Sequence, residues 1–259
     1  MEINKRSTNK LNYFNKLTIS SVFFTLLISI PALLLLSNIF SSSDNWSHLV
    51  HTVLFEYIFN SLYIMFGVAF LTSIIGFSTA YITSLFTFTG SSFFHYALIL
   101  PFAIPTYIVS YAYGGMFDIT GSVTTFILNL MGKNLNEVYF FDIMSIEGAI
   151  LVMSFVLYPY VYLISKTYLQ AESSSIIDAS KTVGLTNFQI FYKVIIPISR
   201  PAIVAGVILA VMEAVADFGV MDYYGVSTFV TGIFRTWFGM GSVEDASKLA
   251  SMLMLCLFY

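Results

Sequence analysis

The stretch DASKTVGLTNFQIFYKVIIPISRPA, Asp178 to Ala202, is polar and punctuated, although the segments flanking it are almost purely apolar. Ser175 stands three residues before Asp178, the Ser-x-x-acid spacing that opens a helix. Lys181 follows where a cation suits a helix C-terminus, and Gly184 falls where a left-handed cap residue belongs. Thr186 and Gln189 repeat the capping pattern ahead of Phe188, Phe191, Tyr192 and Ile195, and Pro197 marks a stop. The expectation is two short helices joined at a glycine corner. An ordinary surface loop is the alternative, but it leaves two caps and two apolar faces without a reason.

Outward from this stretch the chain turns apolar. It is 58% hydrophobic and 10% charged, against about 25% charged residues in ordinary soluble domains. Its mean hydropathy is +0.84. Tyr57 to Phe117 contains no Asp, Glu, Lys or Arg. A soluble fold of 259 residues cannot hide that much apolar surface, so the solvent is a bilayer. The 26 Phe and 17 Tyr suit lipid contact and interfacial belts. A net charge of −3 is too small to imply a charged partner such as nucleic acid. The single Cys256 excludes a disulfide framework within the chain, and His48, His51 and His95 lack metal-ligand spacing and read as loop or interface residues.

Spans of about 20 residues can be laid along the chain. They are expected at Leu17–Leu36, near Tyr57–Phe86, near Phe94–Phe117, from about Gly148 to Ser165 and from about Ala202 to Met221. The first follows Lys5, Arg6, Lys10 and Lys16, as in a signal peptide, but its apolar run exceeds the usual ~7–15 residues and no cleavage pattern follows. Thr87–Ser92, with Gly90, divides the second span from the third. A sixth span starts near Leu249 and reaches Tyr259 after about 16 Å of helix, half of a ~30 Å core. The expectation is therefore an all-α bundle of about six spans, the sixth incomplete, forming the N-terminal part of a longer polypeptide. Residues 1–16 are a short cytoplasmic segment, and 17–259 form one transmembrane domain carrying a loop at about 166–200. With the N-terminus inside, eight of the eleven Lys and Arg residues fall in the cytoplasm, leaving Lys133, Arg235 and Lys248 outside. In the outer segment 118–147, Val123, Phe126, Ile127 and Leu130 recur at helical spacing between Ser122 as N-cap and Gly132 as stop.

The polar stretch resembles a known family. Asp178, Ala179 and Ser180, then Gly184, then Val194, Ile196 and Pro197 are similar to the EAA loop, EAA-x3-G-x9-I-x-L-P, of binding-protein-dependent ABC importer permeases. Ala179, Gly184 and Pro197 match that pattern, whereas Asp178, Ser180, Val194 and Ile196 are replacements. The resemblance implies a type I importer permease in the inner membrane. Its loop would be a coupling helix seated in a separate cytoplasmic ATPase subunit, its cargo would come from a periplasmic binding protein, and a second permease half would be fused or separate. LPFAIPTYIVSYAYGG (Leu100–Gly115) and MEAVADFGVMDYYGVSTFVTGIFRTWFGMG (Met212–Gly241) resemble the ferric-iron subgroup. Thiamine, sulfate and polyamine permeases share the loop.

Several residues are candidates for the cargo pathway or gate. Glu213 lies about 17 Å along the fifth span, near mid-membrane, and Asp217 at i+4 is expected on its face. Each acid costs roughly 2.5–3.5 kcal/mol at a span centre, so neither should face lipid. Asp222 and Tyr223 follow at the outer mouth, and such oxygens are hard ligands suited to a ferric ion. The acids equally suit hydrogen bonds between helices at a gate. Pro101 and Pro105 are expected to bend the third span, as a pathway-lining helix or as a structural kink. Arg235 and Trp237 read as an outer docking or gate element, or as an interfacial anchor. No GxxxxGK[ST], HExxH or GxSxG occurs, so the chain is not expected to be an enzyme or to need a cofactor, and ATP would be handled on another subunit. An ion-coupled secondary transporter using Glu213 and Asp217 would not require the loop, and a non-transport scaffold would not require the acids.

Overall fold

A computed structural model describes residues 16–40, 46–133 and 142–258, and the described residues are helical and irregular, with no strand. The leading part of the 1–16 segment and part of the outer segment, 134–141, lie outside the described residues. Four helices are long and apolar enough to cross a membrane, or five if one bent pair counts as a span.

Helix α1, Lys16–Ser37, occupies the expected first span, and from Thr18 on none of its residues is buried against the rest of the protein. Its apolar residues surround the whole helix, so lipid can cover all of it. One tie to the bundle is Ser251 Oγ, which donates to Leu35 O at 2.5 Å. After the short α2, Trp46–Thr52, helix α3 runs from Leu54 to Leu85. Gly90, at φ 90°, then turns the chain.

The third expected span is broken into pieces. Helix α4, Ser91–Ala97, leads into a 3-10 turn at Leu100–Ala103, and α5, Thr106–Phe117, starts after Pro105. The path bends by 95° between Ser91–Ala103 and Thr106–Met131. Pro101 and Pro105 lack the N–H groups a continuous helix requires, and Ile104 is extended, as a residue before proline prefers. Leu98 O, left open at the end of α4, accepts a 2.7 Å hydrogen bond from the Tyr158 hydroxyl. Helix α6, Ser122–Met131, is the expected outer helix and stops at Gly132 with φ 63°. Its N-cap, however, is Gly121 and not Ser122, and a Cβ at 121 would lie 2.3 Å from Met116 O, so only glycine fits there.

Helix α7, Ile146–Thr182, overturns the reading of Ser175 as a helix start. It runs 37 residues, about 55 Å, through the fourth span and on to the loop in one piece. Residues 166–183 contain neither Gly nor Pro, and ending a helix among them would orphan four carbonyls. The stop expected at Pro197 is also absent. Helix α8, Asn187–Ile190, a π turn at Phe191–Ile195 and α9, Ile196–Ala216, form one span of 30 residues beginning well before Ala202. In the π turn the Ile196 N–H reaches back to Phe191 O, so Pro197 falls in the first turn of α9, where a missing N–H costs nothing. Helices α10, Phe218–Tyr223, α11, Phe229–Phe234, and α12, Val243–Phe258, complete the described chain. The last of these opens before the expected Leu249.

Helix α7 stands at the centre, with 72% of its most apolar stretch buried, and α3 and α9 pack along it. Between helices in lipid the driving force is close contact and not exclusion of water. Gly76 of α3 and Gly206 of α9 both meet α7 at Val161, so these three backbones approach where side chains are absent. Some buried hydroxyls return to their own helices, as Thr72 Oγ1 does to Val68 O at 2.6 Å and Ser154 Oγ to Ile150 O at 2.6 Å.

Candidate coupling and gate sites

The Asp178–Pro197 segment is built from the end of α7, a glycine corner and a capped turn. The Gly184 N–H bonds to Lys181 O at 3.0 Å and the Leu185 N–H to Ser180 O at 3.2 Å, the paired bonds of a Schellman close. Gly184 takes φ 85°. Thr186 and Gln189 then cap α8 reciprocally, through bonds of 3.3 and 3.0 Å. Sequence placed both devices correctly, whereas the start of the preceding helix and the stop expected at Pro197 differ. Val183 is 80% exposed and Phe188 72% exposed, so the corner presents apolar side chains that the chain itself does not cover. A cavity of about 460 Å³ lies between this segment and the end of α3, bordered by Ser84, Phe86, Asp178, Lys181 and Asn187. Val194 and Ile196 pack in the bundle around Tyr162, while Ala179 is exposed and Ser180 Oγ returns to Ile176 O.

The acids are arranged differently from a shared helical face. Glu213 lies on an open face of α9 with Val204, Ile208 and Met212. Asp217 instead ends α9 in an extended conformation and caps α10, where its Oδ1 accepts the Val220 N–H at 3.0 Å. Its Oδ2 accepts a hydrogen bond from Thr106 Oγ1 in the first turn of α5. The break after Pro105 and the break at Asp217 are therefore joined. Further along, Asp222 is exposed, and Tyr223 packs against Tyr111 with ring centroids 4.0 Å apart and against the bare face of Gly114. Among the described residues no three His, Cys, Asp or Glu side chains come together as a metal site. Arg235 opens a π turn at Arg235–Gly239 and donates to Ser227 Oγ at 3.2 Å, while Trp237 stacks on Phe238.

Two elements were not found from sequence. Thr106 is an unremarkable residue after a proline until the fold brings it to Asp217. The second is a buried polar cluster. Lys166 of α7 is 8% exposed, and its Nζ lies 2.8 Å from His95 Nδ1 and 3.1 Å from the Tyr162 hydroxyl. Thr83 Oγ1 of α3 is 3.4 Å from the same hydroxyl. Lys166 and Tyr162 sit at i and i−4 on one helix face, which was the available signal.

An all-helical bundle with several apolar spans, a glycine-cornered polar segment and breaks at membrane depth defines a polytopic membrane protein. Residues 73–259 match the family described as the binding-protein-dependent transport system inner membrane component, and the chain belongs to that family. It is accordingly a multi-pass inner-membrane transport component and not an enzyme. Among curated relatives, the probable sulfate transport system permease protein cysT of Prototheca wickerhamii is 32% identical over 151 residues, covering 58% of this chain and 56% of that protein. The ferric transport system permease protein FbpB of Actinobacillus pleuropneumoniae is 30% identical over 161 residues, covering 61% and 23%. The spermidine/putrescine permease protein PotB of Haemophilus influenzae is 24% identical over 230 residues, covering 83% and 79%. The chain thus spans little more than half the length of the Prototheca wickerhamii and Chlorella vulgaris sulfate permeases it matches. A chain of a bacterial alginate ABC transporter, crystallised with an alginate-pentasaccharide-bound periplasmic protein, has the same fold, with a TM-score of 0.68 at 13% identity over 93% of this chain and 89% of its own length. Sulfate, polyamine and ferric relatives all appear, so the relatives do not single out the iron subgroup.

Proposed function

We propose that this chain is a permease subunit, or one half of a permease, of an ATP-driven ABC importer, and that it passes cargo from a periplasmic binding protein to the cytoplasm. The observation that carries this reading is the corner at Gly184. A helix continuous with the fourth span delivers exposed Val183 and Phe188 to the face that the charge distribution assigns to the cytoplasm. Such a tip suits a cleft on a cytoplasmic ATPase subunit, which would hydrolyse ATP and move α7 from its end. Co-purification with the ATPase, lost on Phe188→Asp while membrane insertion persists, is the expected result. Retained co-purification and uptake in that variant would remove the assignment.

The cargo reading is a cation, ferric iron. Support comes from Glu213, Asp217 and Asp222 on α9 and α10, with no Lys or Arg between Arg200 and Arg235. A path of that sign attracts cations and repels oxyanions. Glu213 also needs cover on its open face, since lipid is a costly neighbour, and a second permease half supplies it. The second reading is sulfate, favoured by the relatives at up to 32% identity. Uptake of radio-iron and radio-sulfate, in a strain carrying the full permease, its ATPase and its binding protein, separates the two.

The acids then give a graded expectation. Glu213→Gln should lower iron uptake severalfold with ATPase binding intact, because it removes the charge and keeps the shape. Asp217→Asn should retain most uptake, since asparagine still caps α10 and still meets Thr106. Asp217→Ala loses both bonds and about 0.5–2 kcal/mol of cap stability, and should fail. Normal iron uptake by the Glu213, Asp217 double alanine variant would sink the role of both acids.

A further inference from the structure

Helix α6 packs against α5, and α5 against α7, but α6 scarcely touches α7. Between them lies a cavity of about 340 Å³, more than twice the ~150 Å³ of an apolar cavity that stays dry and takes up benzene. Tyr113 and Phe117 of α5, stacked with ring centroids 6.0 Å apart, border it on one side. Ile127 of α6 and Val152 and Phe155 of α7 border it on the others. A buried water needs two to four polar partners. The bordering side chains offer the hydroxyls of Tyr113 and Thr124, and Thr124 Oγ1 already donates to Phe117 O at 3.2 Å. The cavity therefore suits an apolar guest.

Its position decides which guest. Phe155 lies nine residues into α7 from Ile146, about 14 Å from the outer end of that helix, and Ile143 borders the cavity at that end. The cavity thus falls in the outer half of a ~30 Å hydrocarbon core. Its rim is exposed at Phe117, Ile127 and Phe155, and the neighbouring Phe126 and Leu130 of α6 are also left uncovered by the chain. In a bilayer such an apolar face meets acyl chains, and here the face continues into the cavity. A partner helix about 10 Å across would need roughly three times this volume over the same depth. An acyl chain is slender, apolar and already beside the rim.

We propose that the cavity holds one acyl chain of an outer-leaflet lipid, and that this chain fills the gap between α6 and α7 and keeps α5 in place. Helix α5 starts at Thr106, which holds Asp217, so its position bears on the break at the foot of α10. The site goes beyond the importer reading and does not depend on it.

The test uses the full permease in phosphatidylcholine nanodiscs doped with a phosphatidylcholine that carries a diazirine on one acyl chain. After irradiation, mass spectrometry of peptides locates the labelled residues. Thr124 and Val152 are 2% and 1% exposed, so lipid that merely surrounds the protein does not reach them. Both should be labelled, along with the exposed Leu130. Leu151→Trp and, separately, Val152→Phe fill the cavity from α7 and should lower labelling of Thr124 severalfold while Leu130 is labelled as before. Thr124 and Val152 left unlabelled in the parent would overturn the site. Labelling of Thr124 that survives unchanged in a folded filling variant would overturn it too. Hydrogen exchange then reads the hold on α5. With α9 as reference, α5 amides should exchange severalfold faster in a bile-salt detergent, whose rigid rings cannot replace a flexible chain, than in nanodiscs. Leu151→Trp should shrink that difference, and an undiminished difference overturns the hold. Neither readout uses cargo or ATPase, so failure here is distinct from failure of the importer reading.

Discussion

Replacing Gly184 with valine is expected to abolish uptake while the protein still inserts at its normal level. Gly184 takes φ 85°, and a Cβ built there meets nothing within 4 Å. The effect is therefore conformational and not steric. An L-residue in the left-handed region costs roughly 1–2 kcal/mol, and β-branching adds to that. The cost is small beside the stability of a bundle buried along α7, so the fold should survive. It is comparable with the two bonds that close the corner, at about 0.5–1.5 kcal/mol each, so the Schellman close should open and α8 should leave its direction. Asparagine tolerates the left-handed region, so Gly184→Asn should keep most uptake, with Gly184→Ala between the two. Uptake in the presence of the ATPase and binding protein gives the order. Normal transport by the valine variant would show that the corner's direction does not matter.

Substitution at Gly206 is expected to act on the fold itself. A Cβ there would lie 2.6 Å from Val161 Cα and 3.0 Å from Val161 N. On α3, a Cβ at Gly76 would lie 2.7 Å from Tyr158 O. Both neighbours are backbone of the central helix, which cannot yield as a flexible side chain can. Overpacking of this kind costs typically 1–3 kcal/mol or more, and in a bilayer the lost close approach is the main force between helices. Gly206→Val and Gly76→Val should therefore aggregate in detergent or melt well below the parent in a size-exclusion stability assay. Gly115 provides the control: nothing lies within 4 Å of its added Cβ, so Gly115→Ala should behave like the parent. Equal stability of all three variants would contradict the packing described for α3, α7 and α9.

Features that depend on local chemistry were legible in the sequence. Apolar runs placed α1 and α3 to within a few residues, because membrane depth sets span length whatever the helices pack against. Gly90, Gly132 and Gly184 all take positive φ, as turn positions that strain any other residue should. The Thr186–Gln189 cap formed because both partners lie within one turn. Where sequence misled, a local signal competed with a stronger alternative. Ser175 and Asp178 have cap spacing, yet a helix already running from Ile146 gains a bond at each further residue and stops only where Gly184 lets it close. Pro197 reads as a stop but falls where a π turn has already released the helix register.

Which polar residues meet follows from how the helices pack. Asp217 reads from spacing as a partner of Glu213, but Thr106, 111 residues away, holds one of its oxygens and the start of α10 the other. His95 reads as a loose interface residue, whereas Lys166, 71 positions on, brings its Nζ within 2.8 Å of the ring in a buried site. The bilayer setting, the course of the spans and the place of the corner are legible residue by residue, because solvent and backbone strain act on each residue separately. The joining of the two breaks and the fastening of α4 to α7 come from hydrogen bonds across long sequence separations. Their partners are fixed only when the helices pack, since in lipid a buried polar group has no water to fall back on and must find its acceptor within the protein.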